Sequence, residues 1–337
     1  MATKTVVEGD ENQIHSELVP LLRLGLTSKP RWLPSLLLWD AKGLQLFEEI
    51  THSEPYYLFE AEKWVLEQNV NSITDVIKPN SVILELGSGS LEKTGIILEG
   101  LVRKQRPVDY YALDVSESEL DRTLNTLRQR LNNNNNNTYV KCHPLVLTYE
   151  QSFSWLLNNP TLHGRDITIL WLGSTIACES RQESIRLMAA FAAVKKQSQI
   201  GKLQFLIGVD GCKDPTLVSR AYDFPPGLTR KFALNCLDNA NRVLSQQVFN
   251  PKDWVFQGVW DAENSHYNTR IAPTVDLTVE VKGHPIALKK GEPVSVIVSR
   301  KYGEAEVGKL VQDAGYFTAK AWKHRDMDYG FYQVRLE

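Results

Sequence analysis

Between residues 81 and 210, short apolar runs alternate with longer amphipathic stretches, and this limits the fold more than any other feature. The runs are "SVILELG" (81–87), "DYYALDV" (109–115), "YVKCHPLVL" (139–147), "DITILWLG" (166–173) and "LQFLIGVD" (203–210). The segments between them, such as "EKTGIILEGLVRKQ" and "ESRQESIRLMAAFAAVKKQ", read as helices. In the second, Ile185, Met188, Ala189 and Ala192 recur at the spacing of one helix face. Strand, helix, strand in repetition predicts an α/β fold with a parallel sheet covered on both sides.

The alternation stops after residue 210. From about 211 to 291 come a helical tract, "RKFALNCLDNANRVLSQQV", a turn-rich stretch and the polar "VWDAENSHYNTR". Two late strands are expected, "PVSVIVSRKY" (293–302) and "YGFYQVRL" (329–336), flanking a helix around Val307–Ala314. The first 60 or so residues also fall outside the alternation. Residues 1–62 and 211–299 are therefore expected to form a second, helix-and-strand lobe, and 63–210 with 300–337 the α/β domain. The six asparagines in "LNNNNNNTYV" predict an exposed loop, because Asn favours turns over helix interiors.

A chain of 337 residues can bury a core without disulfides or a structural metal. Its four cysteines (142, 178, 212 and 236) form no C-x-x-C pair, which argues against a zinc or disulfide framework. A net charge of −2 offers no electrostatic case for nucleic acid or an anionic membrane as partner. The polar N-terminus "MATKTVVEGDENQ" does not read as a signal peptide, and no apolar run is long enough to span a bilayer. These features predict a soluble, cytoplasmic protein; a monomer or homodimer is expected.

The first strand runs into Gly87-Ser88-Gly89, a turn that lets the backbone approach a ligand closely. A dinucleotide fold wants G-x-G-x-x-G, and here Glu92 stands where the third glycine belongs, which weakens the case for a pyrophosphate. The next strand ends on Asp114, placed to accept hydrogen bonds from both hydroxyls of a ribose. Together they point to an adenosine-type ligand without phosphates, and S-adenosylmethionine fits. The bland alternative is a tight turn at Gly87 and Gly89 and a helix cap at Asp114.

Four motifs in this order, "LELGSGSLEKT", "LDVSESEL", "WLGSTIA" and "GVDGCKDP", resemble the histidine-specific methyltransferase family of the ergothioneine pathway. That family includes the fungal 4-dimethylallyltryptophan N-methyltransferases of ergot-alkaloid synthesis, and the resemblance runs from about Leu33 to the C-terminus. It implies a class I S-adenosylmethionine-dependent methyltransferase (Rossmann-like) domain. It also implies a second, substrate-binding α+β domain, formed by 1–62 and 211–299, that closes over a small-molecule amino-acid substrate. By the resemblance, Gly87 and Gly89 line the cofactor pocket, Asp114 holds the ribose and Lys93 pairs with the cofactor's carboxylate. Thr148 and Tyr149 fall where the family contacts adenine. Lys93 as a solvated helix-start lysine and Tyr149 as core are the alternatives.

The substrate positions depart from the histidine enzymes. Their G-S-T/S-I-G-N loop, whose asparagine holds the substrate's amino-acid end, reads Gly173-Ser174-Thr175-Ile176-Ala177-Cys178 here. Cysteine is a weak hydrogen-bonding group beside an amide. Their T-E-V-S reads Val296-Ile297-Val298-Ser299: the serine stays and the glutamate that grips imidazole is Ile297. Losing that acceptor costs an imidazole on the order of 1–3 kcal/mol, whereas isoleucine offers apolar contact worth about 1.5–3 kcal/mol. A packing isoleucine remote from the ligand is the alternative.

Tyr56 and Tyr57 match the family's Tyr-Tyr pair, Tyr222 matches its substrate-facing tyrosine, and Leu58-Phe59 replace its Pro-Thr. Aromatic faces hold an indole by stacking and an ammonium by cation–π attraction, though each tyrosine could equally be core. The expectation is an N-methyltransferase adding one methyl to the α-amino group of 4-dimethylallyl-L-tryptophan, with Tyr56 and Tyr222 positioning the amine. Asp210 is a weaker candidate for the same neighbourhood, with helix capping as its alternative. Tryptophan or histidine as substrate, and a catalytically silent cofactor-binding protein, stand behind it.

Overall fold

A computed structural model describes residues 11–132, 138–223 and 227–336. The first ten residues and the asparagine run from 133 onward lie outside the described residues. The chain begins with α1 (Glu11–Thr27), β1 (Arg31–Trp32), α2 (Ala41–Thr51) and α3 (Tyr57–Asp75). Then come β2 (Ser81–Leu86), α4 (Glu92–Arg103), β3 (Val108–Asp114), α5 (Glu117–Asn132) and β4 (Val140–Val146). α6 (Gln151–Asn158), β5 (Ile167–Trp171), α7 (Arg181–Gln197) and β6 (Leu203–Asp210) complete the alternating region. α8 (Pro215–Asp223), α9 (Leu228–Leu244), β7 (Trp254–Asp261), β8 (His266–Pro273), β9 (Leu277–Val281), β10 (His284–Leu288) and β11 (Val294–Arg300) follow. α10 (Glu304–Asp313), β12 (Tyr316–Lys323) and β13 (Tyr329–Leu336) close it.

The described residues divide into two compact units. One comprises Leu58–Cys212 and the chain from Lys301 onward; the other runs up to Tyr57 and from Lys213 to Arg300.

In the first unit, seven strands make one sheet in the order β12-β13-β6-β5-β2-β3-β4. β13 alone runs against its neighbours. The pleat sends alternate residues of β2 to opposite faces. Val82, Leu84 and Leu86 pack with Trp155, Met188, Phe191 and Leu310 from α6, α7 and α10. Ile83 packs on the other side with Leu66, Ile97, Leu101 and Leu124 from α3, α4 and α5. Both faces are covered, so β2 and β5 are buried at every position. That is why they read as continuous apolar runs.

The second unit carries a sheet in the order β1-β11-β8-β7 and a separate β9–β10 hairpin. The "VWDAENSHYNTR" stretch, read from the sequence only as polar, belongs to the β7–β8 hairpin, paired from Trp254↔Pro273 to Asp261↔His266. Its strands are half-polar because one face is buried: Tyr267, Thr269 and Ile271 are covered while Asn268 and Arg270 are less so. β12 was also not anticipated; six of its eight residues are exposed at the edge of the large sheet, which leaves almost no apolar pattern to read.

Candidate active site

In the first unit the strand order reverses between β2 and β5, with β3 on one side and β6 on the other. A crevice beyond the carboxyl ends of the strands is the expected ligand position in such a sheet. The turn after β2 places Gly87 at φ +64° and Gly89 at φ +53°, the left-handed region that glycine tolerates without strain. A Cβ on Gly87 would lie 2.7 Å from the Tyr149 hydroxyl, whereas a Cβ on Gly89 would meet nothing within 4 Å. Between them the Ser88 hydroxyl is buried without a hydrogen-bond partner. An orphaned hydroxyl beside an open glycine suits a polar ligand.

Asp114 ends β3, and its carboxylate accepts from Gly89 N at 3.3 Å and from Val115 N at 2.8 Å. Burial raises its pKa, opposed by the N–H groups of Gly89, Val115 and Ser116. All three donors precede α5, so Asp114 is tied to the glycine turn and is not the cap of that helix. Tyr149 stands edge-on to Trp171, with ring centroids 6.0 Å apart, and burial pushes its hydroxyl well above the usual range. Thr148 is occupied otherwise. Its hydroxyl accepts from Gln151 N at 3.3 Å and its own N–H donates to the Gln151 side chain, closing the first turn of α6.

Lys93 lies in the first turn of α4, its ammonium 5.4 Å from the centre of the Phe59 ring and paired with the Glu62 carboxylate. At 16% side-chain exposure it is no solvated surface lysine. Glu62, absent from the sequence expectations, is completely buried and also accepts from Gly173 N at 2.8 Å. Only a Glu set in the apolar frame of "FEAEKWVL" hinted at it. Gly173 and Ser174 both take left-handed backbone, and Ser174 Oγ accepts from Asp210 N at 3.1 Å. Cys178 closes this loop through its N–H to Thr175 O, with a half-buried thiol. Asp210 is buried in an ion pair with Lys301 at 2.5 Å and also accepts from Cys212 N. Glu85, on β2, accepts from Thr94 at 2.7 Å and from Tyr110, and burial pushes its pKa up to about 7.

The remaining expected residues lie in the second unit and share one neighbourhood. Tyr56 meets Tyr222 edge-on at 5.9 Å, and Tyr222, on α8, stacks on Tyr267 of β8 at 5.0 Å with 19° between planes. Tyr267 faces Ser299 across the ladder, and Thr269 faces Ile297. Partners directly opposite one another share a sheet face, so Ile297 and Ser299 lie on the face that carries Tyr267. A β-bulge between Ser295 and Ile297 makes this so. In an unbroken strand the face holding Val294 would hold 296 and 298, and the extra residue hands it to 297 and 299. Tyr267 was not foreseen; it hides in a half-polar strand. Phe47, Trp39 and Phe232 back the cluster, with Phe47 5.9 Å from Tyr56. Leu58 and Phe59 are buried in the first unit instead.

The family model described as "Histidine-specific methyltransferase, SAM-dependent" matches residues 18–336. N-methyltransferase imqF of Aspergillus flavus is 34% identical over 308 residues, covering 91% of this chain and 81% of that protein. Ergothioneine biosynthesis protein 1 of Neurospora crassa is 35% identical over 305 residues, 90% of this chain but 33% of that protein. The 4-dimethylallyltryptophan N-methyltransferase easF of Claviceps purpurea is 30% identical over 351 residues, covering both chains completely.

Proposed function

This chain belongs to the family of histidine-specific, S-adenosylmethionine-dependent methyltransferases, and we propose that it methylates the α-amino group of 4-dimethylallyl-L-tryptophan once. It is a methyltransferase of the class I, Rossmann-like fold, and S-adenosylmethionine is its cofactor. The observation that carries the choice of substrate is the sheet face holding Tyr267, Ile297 and Ser299. An apolar side chain stands there in place of the family's glutamate, beside a stacked tyrosine pair. Such a face rewards an indole and its prenyl group and leaves an imidazole without an acceptor. A relative bearing this activity in its name, matched over its whole length, supports the same reading. Residues up to 57 and 213–300 are then the substrate-binding domain.

When bound, the cofactor supplies a methyl group on a positively charged sulfur. The residues assigned to hold it are Gly87 and Gly89 through close backbone approach, Asp114 through the ribose hydroxyls, Lys93 through the carboxylate, and Tyr149 with Thr148 at the adenine. Thr148 contributes there through its backbone and methyl, since its hydroxyl caps α6. The chain's task is positioning: alignment of reacting groups can supply up to about 7–11 kcal/mol of barrier reduction. Tyr56 and Tyr222 offer ring faces and hydroxyls to the amine. Gly173 and Cys178 belong to the loop assigned to the substrate's amino-acid end. A free α-amino group has a pKa near 8 and a phenol near 10, so the tyrosines orient the amine and do not deprotonate it.

The more similar relative imqF, named only as an N-methyltransferase, favours a second reading, in which tryptophan or another aromatic amine is the acceptor. Incubating the protein with S-adenosylmethionine and 4-dimethylallyltryptophan, tryptophan or histidine, followed by mass spectrometry, separates them. One added methyl mainly on the prenylated substrate is expected. Trimethylated histidine as the main product would overturn the substrate assignment. Cofactor binding with no turnover of any amino acid would point to a silent homologue.

A further inference from the structure

Glu62 is the one completely buried carboxylate among the described residues that touches both a cofactor-assigned and a substrate-assigned position. Its carboxylate accepts from Lys93 Nζ and from Gly173 N. A Cβ on Gly208 of β6 would lie 1.7 Å from Glu62 Oε1, so glycine there leaves the room this carboxylate occupies. A buried charge costs much free energy unless paired and hydrogen-bonded, and Glu62 is both.

We infer that Glu62 is a positioning residue of the cofactor site: it holds the Lys93 ammonium beside the glycine turn so that Lys93 can receive the cofactor's carboxylate. This rests on the reading of Lys93 given above. An ammonium with 16% of its side chain exposed needs a counter-charge to stay where it is. Without Glu62 the lysine's flexible stem carries its charge out to water. Lys93 keeps further donors beyond the one given to Glu62, because an ammonium has three. Glu62 therefore acts on binding of the amino-acid tail, through Lys93.

Calorimetric titration of the full chain with two probes tests this. S-adenosylhomocysteine carries the amino-acid tail; 5′-methylthioadenosine has the same nucleoside and a thioether but no tail. Glu62→Gln keeps an acceptor for Gly173 N and removes the charge. It is expected to weaken S-adenosylhomocysteine about tenfold or more, the loss of a charge-assisted contact, with 5′-methylthioadenosine changed less than about twofold. Lys93→Met should give the same selective loss, and the double variant no more than either alone, as coupled partners do. Gly208→Ala displaces the carboxylate without altering any charge, should show the same selectivity, and carries the test if Glu62→Gln does not fold. Equal weakening of both probes by Glu62→Gln would mean a general structural role and overturn the inference. A selective loss in Lys93→Met with Glu62→Gln at wild-type affinity would overturn it for Glu62 alone. Lys93→Met binding both probes like wild type would overturn the reading of Lys93 and the inference with it.

Discussion

Ile297 lies across the ladder from Thr269 on the sheet face that carries Tyr267. An acidic group at this half-buried position would stand beside apolar and aromatic surface, with a desolvation penalty whenever an apolar ligand covers it. Ile297→Glu should lower kcat/KM for 4-dimethylallyltryptophan by at least about tenfold, an estimate from the cost of an unpaired buried polar group. It should do so with little change in thermal stability; unchanged kcat/KM would place the substrate elsewhere. At the turn after β2 the constraint is conformational. Gly89→Ala meets no neighbour but must hold φ near +53°, which costs a residue with a Cβ about 1–2 kcal/mol. Its effect should be seen in stability even without any ligand, as a lower urea midpoint.

At the scale of elements, the bulge in β11 absorbs one inserted residue. Deleting Val296 removes the bulge but leaves Ile297 opposite Thr269 and Ser299 opposite Tyr267 in a regular ladder, on the same face as before. The folded protein should then retain S-adenosylhomocysteine binding and its preference among amino-acid substrates; a changed preference would mean that the bulge itself, and not the face it sets, shapes the site. α6 depends on Thr148 in the same local way. Thr148→Val removes the hydroxyl that accepts from Gln151 N and should cost about 1 kcal/mol of stability, whereas Thr148→Ser should cost less, as urea melts can compare.

For the molecule as a whole, buried charge sets both stability and its pH dependence. Asp210 and Lys301 are each at most 1% exposed and pair at 2.5 Å. They join the end of β6 to the first residue of the chain's return into the α/β unit. Glu85, buried among Thr94 and Tyr110, has its pKa pushed up to about 7 by burial, from 4.5. The folded state therefore binds a proton there that the unfolded chain has released, and stability falls as pH rises from about 4.5 to about 7. At 1.36 kcal/mol per unit the loss is about 3 kcal/mol. Asp109 and Glu292, held down at about 2 by their bonds to His143 and Lys29, work in the opposite direction. Their stabilisation is present above the ordinary carboxyl range and lost as pH falls toward 2. Urea midpoints at pH 5, 6 and 7.5 should decline for the wild type and flatten for Glu85→Gln; identical slopes would remove Glu85 as the cause.

Sequence alone determined the α/β region, because strands buried on both faces must be apolar throughout and their helices must carry a stripe. It also located the glycine turn and Asp114, since a left-handed backbone and a carboxylate at a strand's end leave marks in residue type. Tertiary structure alone decided that β7 and β8 are strands, that a bulge turns Ile297 and Ser299 toward Tyr267, and that Glu62 meets Lys93. The half-polar strands are stabilised by partners across the ladder, and Glu62 by groups 31 and 111 positions away along the chain. Local sequence records a residue's own preferences; it carries no trace of a neighbour that only folding supplies.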